Sequence, residues 1–206
     1  MNHNILRLKQ NEILRNMCVD INFLQEQLIQ PIFISEKAKE PTAIPGLPEN
    51  YVMNLDDAKK QIEKDLKVKC KNFLLFLVPE KKSLSPFDLD FHHFTIKSLK
   101  DKFLNDIFLW ADICLCSLTN HGHCCLYNKD NLIDLDNTLL ELSNISLIYA
   151  QAGIDGVSPS DMMDSRTKSI RDILDKNNFN FLPIMSYSTK FASNFYGPFR
   201  HAADST

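Results

Sequence analysis

Five short apolar segments recur along the chain, and each has the length and composition of a β-strand. They cover 30–35, 72–78, 107–116, a short run that ends at Ser158, and 179–185. The second segment is apolar at nearly every position, which is typical of a strand that is covered on both faces. Pro31 suits the start of the first strand, because proline lacks the N–H that a strand interior needs.

Between these segments the apolar residues recur every three or four positions, which predicts amphipathic helices. Helices are predicted, in order, over 54–70 with Asn54 as N-cap, about 94–105, from a capping box of Thr138 and Glu141 to Gly153, and about 167–176. The polar stretch before the second helix contains His92 and His93 and is predicted as a loop.

Strands that alternate with helices predict an α/β fold built from parallel βα units. About five such units are visible within 30–206, and residues 1–29 precede them as an N-terminal arm with some helix. A doubly wound sheet usually has a glycine-rich phosphate loop after its first strand, and the loop after Ile34 has none. A complete βα barrel needs eight units and about 250 residues. The pattern by itself leaves both folds open.

Composition and charge exclude several classes of protein. The chain is 44% hydrophobic and 24% charged with a net charge of -3, and it has no basic tract of the kind that binds nucleic acid. No apolar run near the N-terminus is long enough for a signal peptide or a membrane span. We therefore expect a cytoplasmic protein. In a reducing compartment its six cysteines are core residues or metal ligands rather than disulfides.

The cysteines cluster around the end of the third predicted strand. Alternation along a strand puts Cys114 and Cys116 on one face, and a turn at Gly122 would bring Cys124 back beside them. Three thiolates suit Zn²⁺ and leave a fourth position for water or substrate. The alternative is that the two strand cysteines are small buried hydrophobic residues. The histidines that flank Gly122 are ligands, supporting groups or plain loop residues.

A single lysine, Lys190, follows the last apolar segment. Desolvation and a neighbouring positive charge both lower the pKa of a lysine amine in general, and the free amine can then attack a ketone to form a Schiff base. Most lysines at strand ends are solvated surface groups, so this lysine alone carries little weight.

Other polar residues lie within or after the predicted strands. Asp112 suits a substrate ammonium or a lysine partner, and Arg200 suits a carboxylate or a surface salt bridge. Ser160 and Asp161 fit substrate contact as well as helix capping. In a parallel barrel the carboxyl ends of the strands meet at one edge, so these side chains would gather there.

Three stretches together resemble the 5-aminolevulinate dehydratase family, also called porphobilinogen synthase. They are Asp-Ile-Cys-Leu-Cys at 112–116 with His-Gly-His-Cys at 121–124, Ser-Pro-Ser-Asp-Met-Met-Asp at 158–164, and Met-Ser-Tyr-Ser-Thr-Lys-Phe-Ala-Ser-Asn-Phe-Tyr-Gly-Pro-Phe-Arg at 185–200. Weaker similarity extends into the arm, so the resemblance covers nearly the whole chain. It implies condensation of two 5-aminolevulinate molecules to porphobilinogen, a step towards haem and other tetrapyrroles.

The resemblance also implies roles for particular residues. Lys190 matches a Schiff-base lysine, and Arg200 matches an arginine that grips a substrate carboxylate. The remaining matches are Asp112 and Ser160 as polar groups near the substrate amines, and Cys114, Cys116 and Cys124 as zinc thiolates. Magnesium is a second candidate metal. The family folds as a parallel (βα) TIM-type barrel whose N-terminal arm embraces a neighbouring subunit, commonly in a homo-octamer.

Three departures from the family pattern limit what the resemblance implies. Cys125 stands where the family commonly has glycine, so either Cys124 or Cys125 would be the third thiolate. Ser165 also replaces a glycine, in the loop after Met-Met-Asp. Family members also continue through about three more strands, which bring a second Schiff-base lysine. We therefore expect residues 30–206 to form an incomplete barrel that does not make porphobilinogen by itself.

Two other interpretations stay open. The first is a truncated, inactive remnant that at most binds zinc or assembles with intact subunits. The second is a Schiff-base enzyme of the aldolase type on the same barrel.

Overall fold

A computed structural model describes residues 7–22, 24–191, 193–194 and 196–203. Its strands are β1 (Gln30–Ser35), β2 (Thr42–Ala43), β3 (Tyr51–Met53), β4 (Asn72–Val78), β5 (Phe108–Ile113) and β6 (Gly156–Pro159). Its α-helices are α1 (Glu12–Met17), α2 (Leu55–Lys67), α3 (Asp90–Phe103), α4 (Leu135–Gln151), α5 (Arg166–Lys176) and α6 (Tyr196–Ala202). None of the helices among these residues is long and apolar enough to cross a membrane.

The strands form one sheet in the order β2-β3-β1-β4-β5-β6. Neighbours from β3 to β6 pair in parallel, for example Ile32 opposite Leu75 and Ala111 opposite Val157, and only β2 runs antiparallel. The segments between β4 and α5 alternate strand and helix, which confirms the prediction of an α/β fold with parallel strands.

The two faces of the sheet have different partners because side chains alternate along each strand. One face contributes Phe73, Leu75 and Leu109 to a core that it shares with the helices α2 to α5. The opposite face carries a smaller cluster in which the Phe33 and Phe76 rings stack at 4.8 Å and Phe199 of α6 packs edge-on.

Most predicted strands and helices form, but several of their limits differ. The strands β1 and β4 have the predicted bounds, whereas β5 ends at Ile113, so Cys114 and Cys116 lie in the loop beyond it. Asn54 caps α2 as predicted, by accepting a hydrogen bond from the Asp57 N–H at 2.9 Å.

The starts of α3 and α4 differ from the predictions. The prediction of a loop around His92 and His93 is wrong, because both residues lie inside α3. The predicted capping box is also wrong, since α4 begins earlier with Asp134 as its N-cap. The Thr138 hydroxyl instead donates to the Asp134 carbonyl at 2.6 Å and accepts from the Leu126 N–H at 2.9 Å. Gly153, with a φ of +93°, follows the helix as predicted.

The strand predicted over 179–185 is reduced to one bridge, Val157 opposite Ile184. Its hydrogen bonds run from Val157 N to Pro183 O (3.1 Å) and from Met185 N to Val157 O (2.9 Å). Pro183 has no N–H to extend the ladder, and Arg171 of α5 binds the carbonyls of Phe179 and Leu182, both at 2.7 Å. The first half of the segment therefore turns towards α5 instead of pairing.

The described residues before β1 form α1 and two short 3₁₀ turns, Arg7–Lys9 and Gln25–Gln27. Most of their side chains are exposed, including those of Ile13, Met17 and Ile21, whereas Leu14 and Ile29 are half-buried. The second turn contacts the sheet through Asn72, whose side-chain amide donates to the Glu26 carbonyl at 2.8 Å. The boundary at residue 29 between arm and barrel stays a prediction.

Candidate functional site

The predicted site residues converge at the carboxyl ends of β5 and β6, with one exception. Asp112 is the second-last residue of β5, the thiols follow that strand, and Ser160 follows β6. The segment after α5 then brings Lys190 to the same edge, where its amine donates a hydrogen bond to the Ser160 carbonyl at 2.9 Å. Because parallel strands carry their loops at one edge, distant parts of the sequence meet here.

Three thiols gather beyond β5. The Sγ atoms of Cys114, Cys116 and Cys124 all lie within 4.8 Å of one another. The first two thiols are buried in the loop after the strand. A turn closed by a Gly122 N–H bond to the Thr119 carbonyl at 3.1 Å, with a Gly122 φ of +73°, brings Cys124 back beside them. The predicted turn therefore forms, although strand alternation is not what aligns the first two thiols.

The three thiols fit a zinc ion. Zinc–sulfur bonds of about 2.3 Å put the sulfurs of a tetrahedral site roughly 3.8 Å apart, so small side-chain adjustments would let all three bind one ion. The thiol of Cys125 is not part of this group: it is buried and pairs with the hydroxyl of Tyr127. Of the two neighbouring cysteines, Cys124 is the one that points towards the cluster.

The cluster favours a thiolate at Cys124. Hydrogen bonds from Cys114 and Cys116 lower the pKa of the Cys124 thiol, and the positive charge of Lys190 lowers it further. Hydrogen bonds with Cys116 and Cys124, together with burial, raise the pKa of Cys114. One negative sulfur held by two thiol donors is a ready arrangement for a soft metal cation, because the thiolate is the form that binds metals.

Lys190 and one thiol of the cluster, that of Cys124, open into one cavity, whereas Cys114 and Cys116 border a smaller cleft beside Asp112. A cavity of about 320 Å³ is lined by Cys124, Asp161 and Lys190 together with Met162, Met163, Phe191 and Tyr196. A second cavity, of about 200 Å³, borders the same lysine on the side of Ser160 and Tyr187. The lysine amine lies 6.0 Å from the centre of the Tyr187 ring and 5.9 Å from that of Tyr196, so two aromatic faces flank it.

Asp112 and Ser160 form a polar pair next to this lysine. Burial raises the pKa of Asp112 to about 7, although a hydrogen bond from Ser160 and the charge of Lys190 both act to lower it. The other carboxylate oxygen of Asp112 is buried with no hydrogen-bond partner among the described residues. Ser160 thus contacts both charged groups, through its hydroxyl to Asp112 and through its carbonyl to Lys190. An unpaired carboxylate oxygen at this position can accept a hydrogen bond from a ligand amine.

Arg200 is the exception. It lies exposed on α6, with its guanidinium 4.5 Å from the centre of the Tyr196 ring. Neither cavity that borders Lys190 includes it among its described lining residues. Its assignment to a substrate carboxylate therefore stays a prediction.

Two further residues lie near the site: Asp161, for which the sequence left substrate contact and helix capping open, and Arg166, which was not predicted to belong to it. Asp161 is buried, and its carboxylate accepts a bond from the Met163 N–H at 2.8 Å instead of capping α5. Arg166, the first residue of α5, lies 3.5 Å from that carboxylate and reaches the carbonyl of Tyr187. The acidic residue follows a strand end, which is a usable signal, but nothing in the residue pattern indicates the arginine contact.

Comparison with known proteins places this geometry in a family. The family described as "Delta-aminolevulinic acid dehydratase" matches residues 2–206. A protein of that name from Methanothermus sociabilis is 39% identical over 208 residues, which cover 97% of this chain and 63% of the relative. Another of that name, from Ruminiclostridium josui, is 40% identical over 201 residues, covering 96% of this chain and 97% of the relative.

A solved structure with the same family name has a closely similar fold. The crystal structure of delta-aminolevulinic acid dehydratase (porphobilinogen synthase) from Toxoplasma gondii, in complex with the reaction product porphobilinogen, superposes with a TM-score of 0.92 at 30% identity. The match covers 100% of this chain and 60% of that one. Apart from the R. josui protein, the relatives described here are thus longer, and the chain spans about three fifths of their length.

Proposed function

Because this chain belongs to the delta-aminolevulinic acid dehydratase family, we propose that its site binds 5-aminolevulinate and joins it to Lys190 as a Schiff base. One observation carries the proposal: Lys190 and Cys124 line the same cavity. Through Cys124, a metal ion held by the three thiols would border the cavity into which Lys190 opens. The T. gondii relative with bound porphobilinogen supports the same assignment of substrate class.

In the proposed reaction the neutral amine of Lys190 attacks the ketone carbon of 5-aminolevulinate. Loss of one water molecule from the adduct gives an imine that links the lysine nitrogen to the substrate carbon. The cavity of about 320 Å³ is bounded partly by apolar side chains, including Met162 and Phe191. We assign the substrate ammonium to the unpaired oxygen of Asp112, with Ser160 beside it.

We assign the zinc site to Cys114, Cys116 and Cys124. A zinc ion bound there would act as a Lewis acid beside the substrate. The buried thiol of Cys125 serves as the matched control, because it neighbours Cys124 but pairs with Tyr127. Cys124→Ala is expected to reduce bound zinc in the purified protein from about one equivalent to near zero, whereas Cys125→Ala keeps it. Retained zinc in Cys124→Ala would contradict the assignment.

We further propose that the 206 residues form about five βα units of the TIM-type barrel, with residues 1–29 as an arm that contacts another subunit of a homo-octamer. Two observations support this. The face of the sheet opposite the helices borders an apolar cavity of about 590 Å³ lined by Phe33, Leu74 and Phe76, which further strands of a barrel would cover. The exposed apolar side chains of the arm, such as Ile13 and Ile21, would be covered by a neighbouring subunit.

This polypeptide holds one substrate half-site in our proposal and does not release porphobilinogen when assayed alone. Lys190 is the lysine that lines the two site cavities among the described residues, whereas the family reaction uses two Schiff-base lysines. The remnant that only binds zinc differs from it in one respect, because it would form no Schiff base. Porphobilinogen released by the purified polypeptide would contradict the half-site.

Borohydride trapping tests the proposed function directly. Reduction of the protein in the presence of 5-aminolevulinate is expected to fix one substrate on the peptide that contains Lys190, which peptide mapping identifies. Lys190→Arg removes the adduct. Lys168→Arg, at an exposed lysine that pairs with Asp172, is the control and keeps it. Absence of the adduct from the wild-type protein would favour the remnant, and an adduct formed only with aldolase substrates would favour that alternative.

A further inference from the structure

Arg166 joins the loop after β6 to the segment that carries Lys190. Its guanidinium donates to the Met163 carbonyl at 3.2 Å on one side, and to the Ser186 hydroxyl at 3.2 Å and the Tyr187 carbonyl at 2.5 Å on the other. Its Nε lies 3.5 Å from the buried carboxylate of Asp161. The side chain of Arg166 is only 12% exposed, so these contacts are largely shielded from water.

The segment that Arg166 contacts is held by a small number of other hydrogen bonds. Beyond Ile184 its backbone is tied to β6 by bonds from Met185 N to Val157 O (2.9 Å), from Tyr187 N to Pro159 O (3.2 Å) and from the Ser158 hydroxyl to Met185 O (2.9 Å). The Thr167 hydroxyl also lies 3.2 Å from that of Ser186. Three residues of extended chain span at most about 10 Å. The position of Tyr187 therefore limits where the Lys190 amine can lie.

We propose that Arg166 is a positioning residue for Lys190, an inference that rests on the proposed function. Its planar fork fixes Tyr187 against the loop that contains Ser160 and Asp161, and that loop provides the carbonyl bound by the lysine amine. Arg166 does not line either cavity that borders Lys190 among the described residues, so it acts through the backbone it holds.

Arg171 provides a matched control on the same helix. It too donates to two backbone carbonyls of the following segment, Phe179 and Leu182, both at 2.7 Å, and its Nε pairs with Asp175 at 2.8 Å. The chemistry is the same, but these contacts precede the β-bridge at Ile184 and lie away from the lysine. Loss of either arginine removes comparable bonds, and only loss of Arg166 releases the backbone next to Lys190.

The test measures the rate at which borohydride traps 5-aminolevulinate on Lys190 over a range of substrate concentrations. Arg166→Met is expected to lower the maximal trapping rate about 10- to 100-fold, since displacement of a reacting group by about 1 Å has an effect of this order. The half-saturating concentration stays unchanged, because the side chains that contact substrate remain. Arg171→Met keeps the maximal rate within about twofold of wild type. If Arg166→Met does not fold, Arg166→Lys replaces it, because lysine keeps the charge but loses the fork.

Equal losses of trapping rate in the Arg166 and Arg171 variants would overturn the positioning role, and so would a wild-type rate in Arg166→Met. A wild-type protein that traps no 5-aminolevulinate would overturn the proposed function, and the positioning role of Arg166 is then tested by a reaction that needs no substrate.

That reaction is reductive methylation with formaldehyde. It is expected to modify Lys190 faster in Arg166→Met than in Arg171→Met, because the released amine leaves the Ser160 carbonyl. Equal methylation rates would then overturn the inference.

Discussion

The helix-covered side of the sheet and the segment that carries Lys190 are built in opposite ways. On the helix-covered side, Phe73, Leu75 and Leu109 are fully buried against α2 to α5. The segment over 179–191 has one β-bridge, a few side-chain tethers and a Phe181 ring that is 94% exposed. Apolar burial stabilises the first region, whereas individual hydrogen bonds locate the second. Asp112 alternates along β5 with Ala111 and Ile113, which face the helices, so its side chain lies on the opposite face of the strand. Lys190 belongs to the second region.

This difference separates stability from chemistry. A substitution on the helix-covered side should lower the free energy of unfolding of the whole chain, because it removes packing that the fold depends on. A change in the lysine segment should move the amine and leave global stability nearly constant, because locally held segments open with little cost to the rest. Comparison of matched substitutions in the two regions tests this separation.

The largest effect is expected from truncation of the core. Leu109→Ala should lower the free energy of unfolding by about 2–5 kcal/mol, because a cavity remains where the buried side chain packed. Phe181→Ala removes a larger side chain from the lysine segment, yet should change it by less than about 0.5 kcal/mol. Urea unfolding followed by circular dichroism measures both. A loss in Phe181→Ala as large as that in Leu109→Ala would show that the segment is part of the core.

A pH-dependent effect is expected from His92, which is buried in α3 against the Tyr149 ring. Burial lowers the pKa of His92 to about 4, although a hydrogen bond with the Leu77 backbone and the charge of Asp88 act to raise it. The unfolded chain binds this proton below about pH 6.5, and the folded chain binds it only near pH 4. The stability contributed by the neutral imidazole is therefore present above about pH 6.5 and is lost as the pH falls towards 4.

The loss attributable to His92 is about 2 kcal/mol between about pH 7.5 and pH 5. His92→Gln removes the titrating group, so the free energy of unfolding of the variant should fall less over this range, by about that amount. Urea unfolding at both pH values gives the two slopes. Parallel slopes for wild type and variant would mean that His92 is protonated as readily in the folded chain as in the unfolded chain.

The strands and helices of the helix-covered side were largely predictable, and the wrong predictions there share a cause. The bounds of β1 and β4 follow from short apolar runs with clear polar ends. The prediction for β5 ran on to Cys116 because buried loop residues are as apolar as strand residues. His92 was predicted in a loop because its residue type is polar, although the side chain is buried. Residue polarity is only a guide to burial, and burial does not distinguish a strand or helix from a packed loop.

The site was predictable as a set of residues but not as an arrangement. Cysteine spacing and the Gly122 turn were sufficient to predict the thiol cluster, because all its members lie within one short stretch, 114–124. The apolar run over 179–185 predicted a strand, but Pro183 and the contacts of Arg171 stop it. The contact of Arg166 with Tyr187 joins a side chain to a backbone carbonyl, and every residue has such a carbonyl. No pattern of residue types can indicate it.

The smallest effect is expected at Gly197 of α6, for which Gly156 of β6 provides the comparison. A Cβ added to Gly156 of β6 would lie 2.5 Å from two atoms of the Trp110 ring, whereas one added to Gly197 of α6 meets nothing within 4 Å. Gly156→Ala should lower the free energy of unfolding by about 1–3 kcal/mol, the usual cost of overpacking. Gly197→Ala should raise it by up to about 1 kcal/mol, because alanine is the better helix former. Urea unfolding measures both variants, and a loss of stability in Gly197→Ala would show that α6 packs as closely as the helix-covered side.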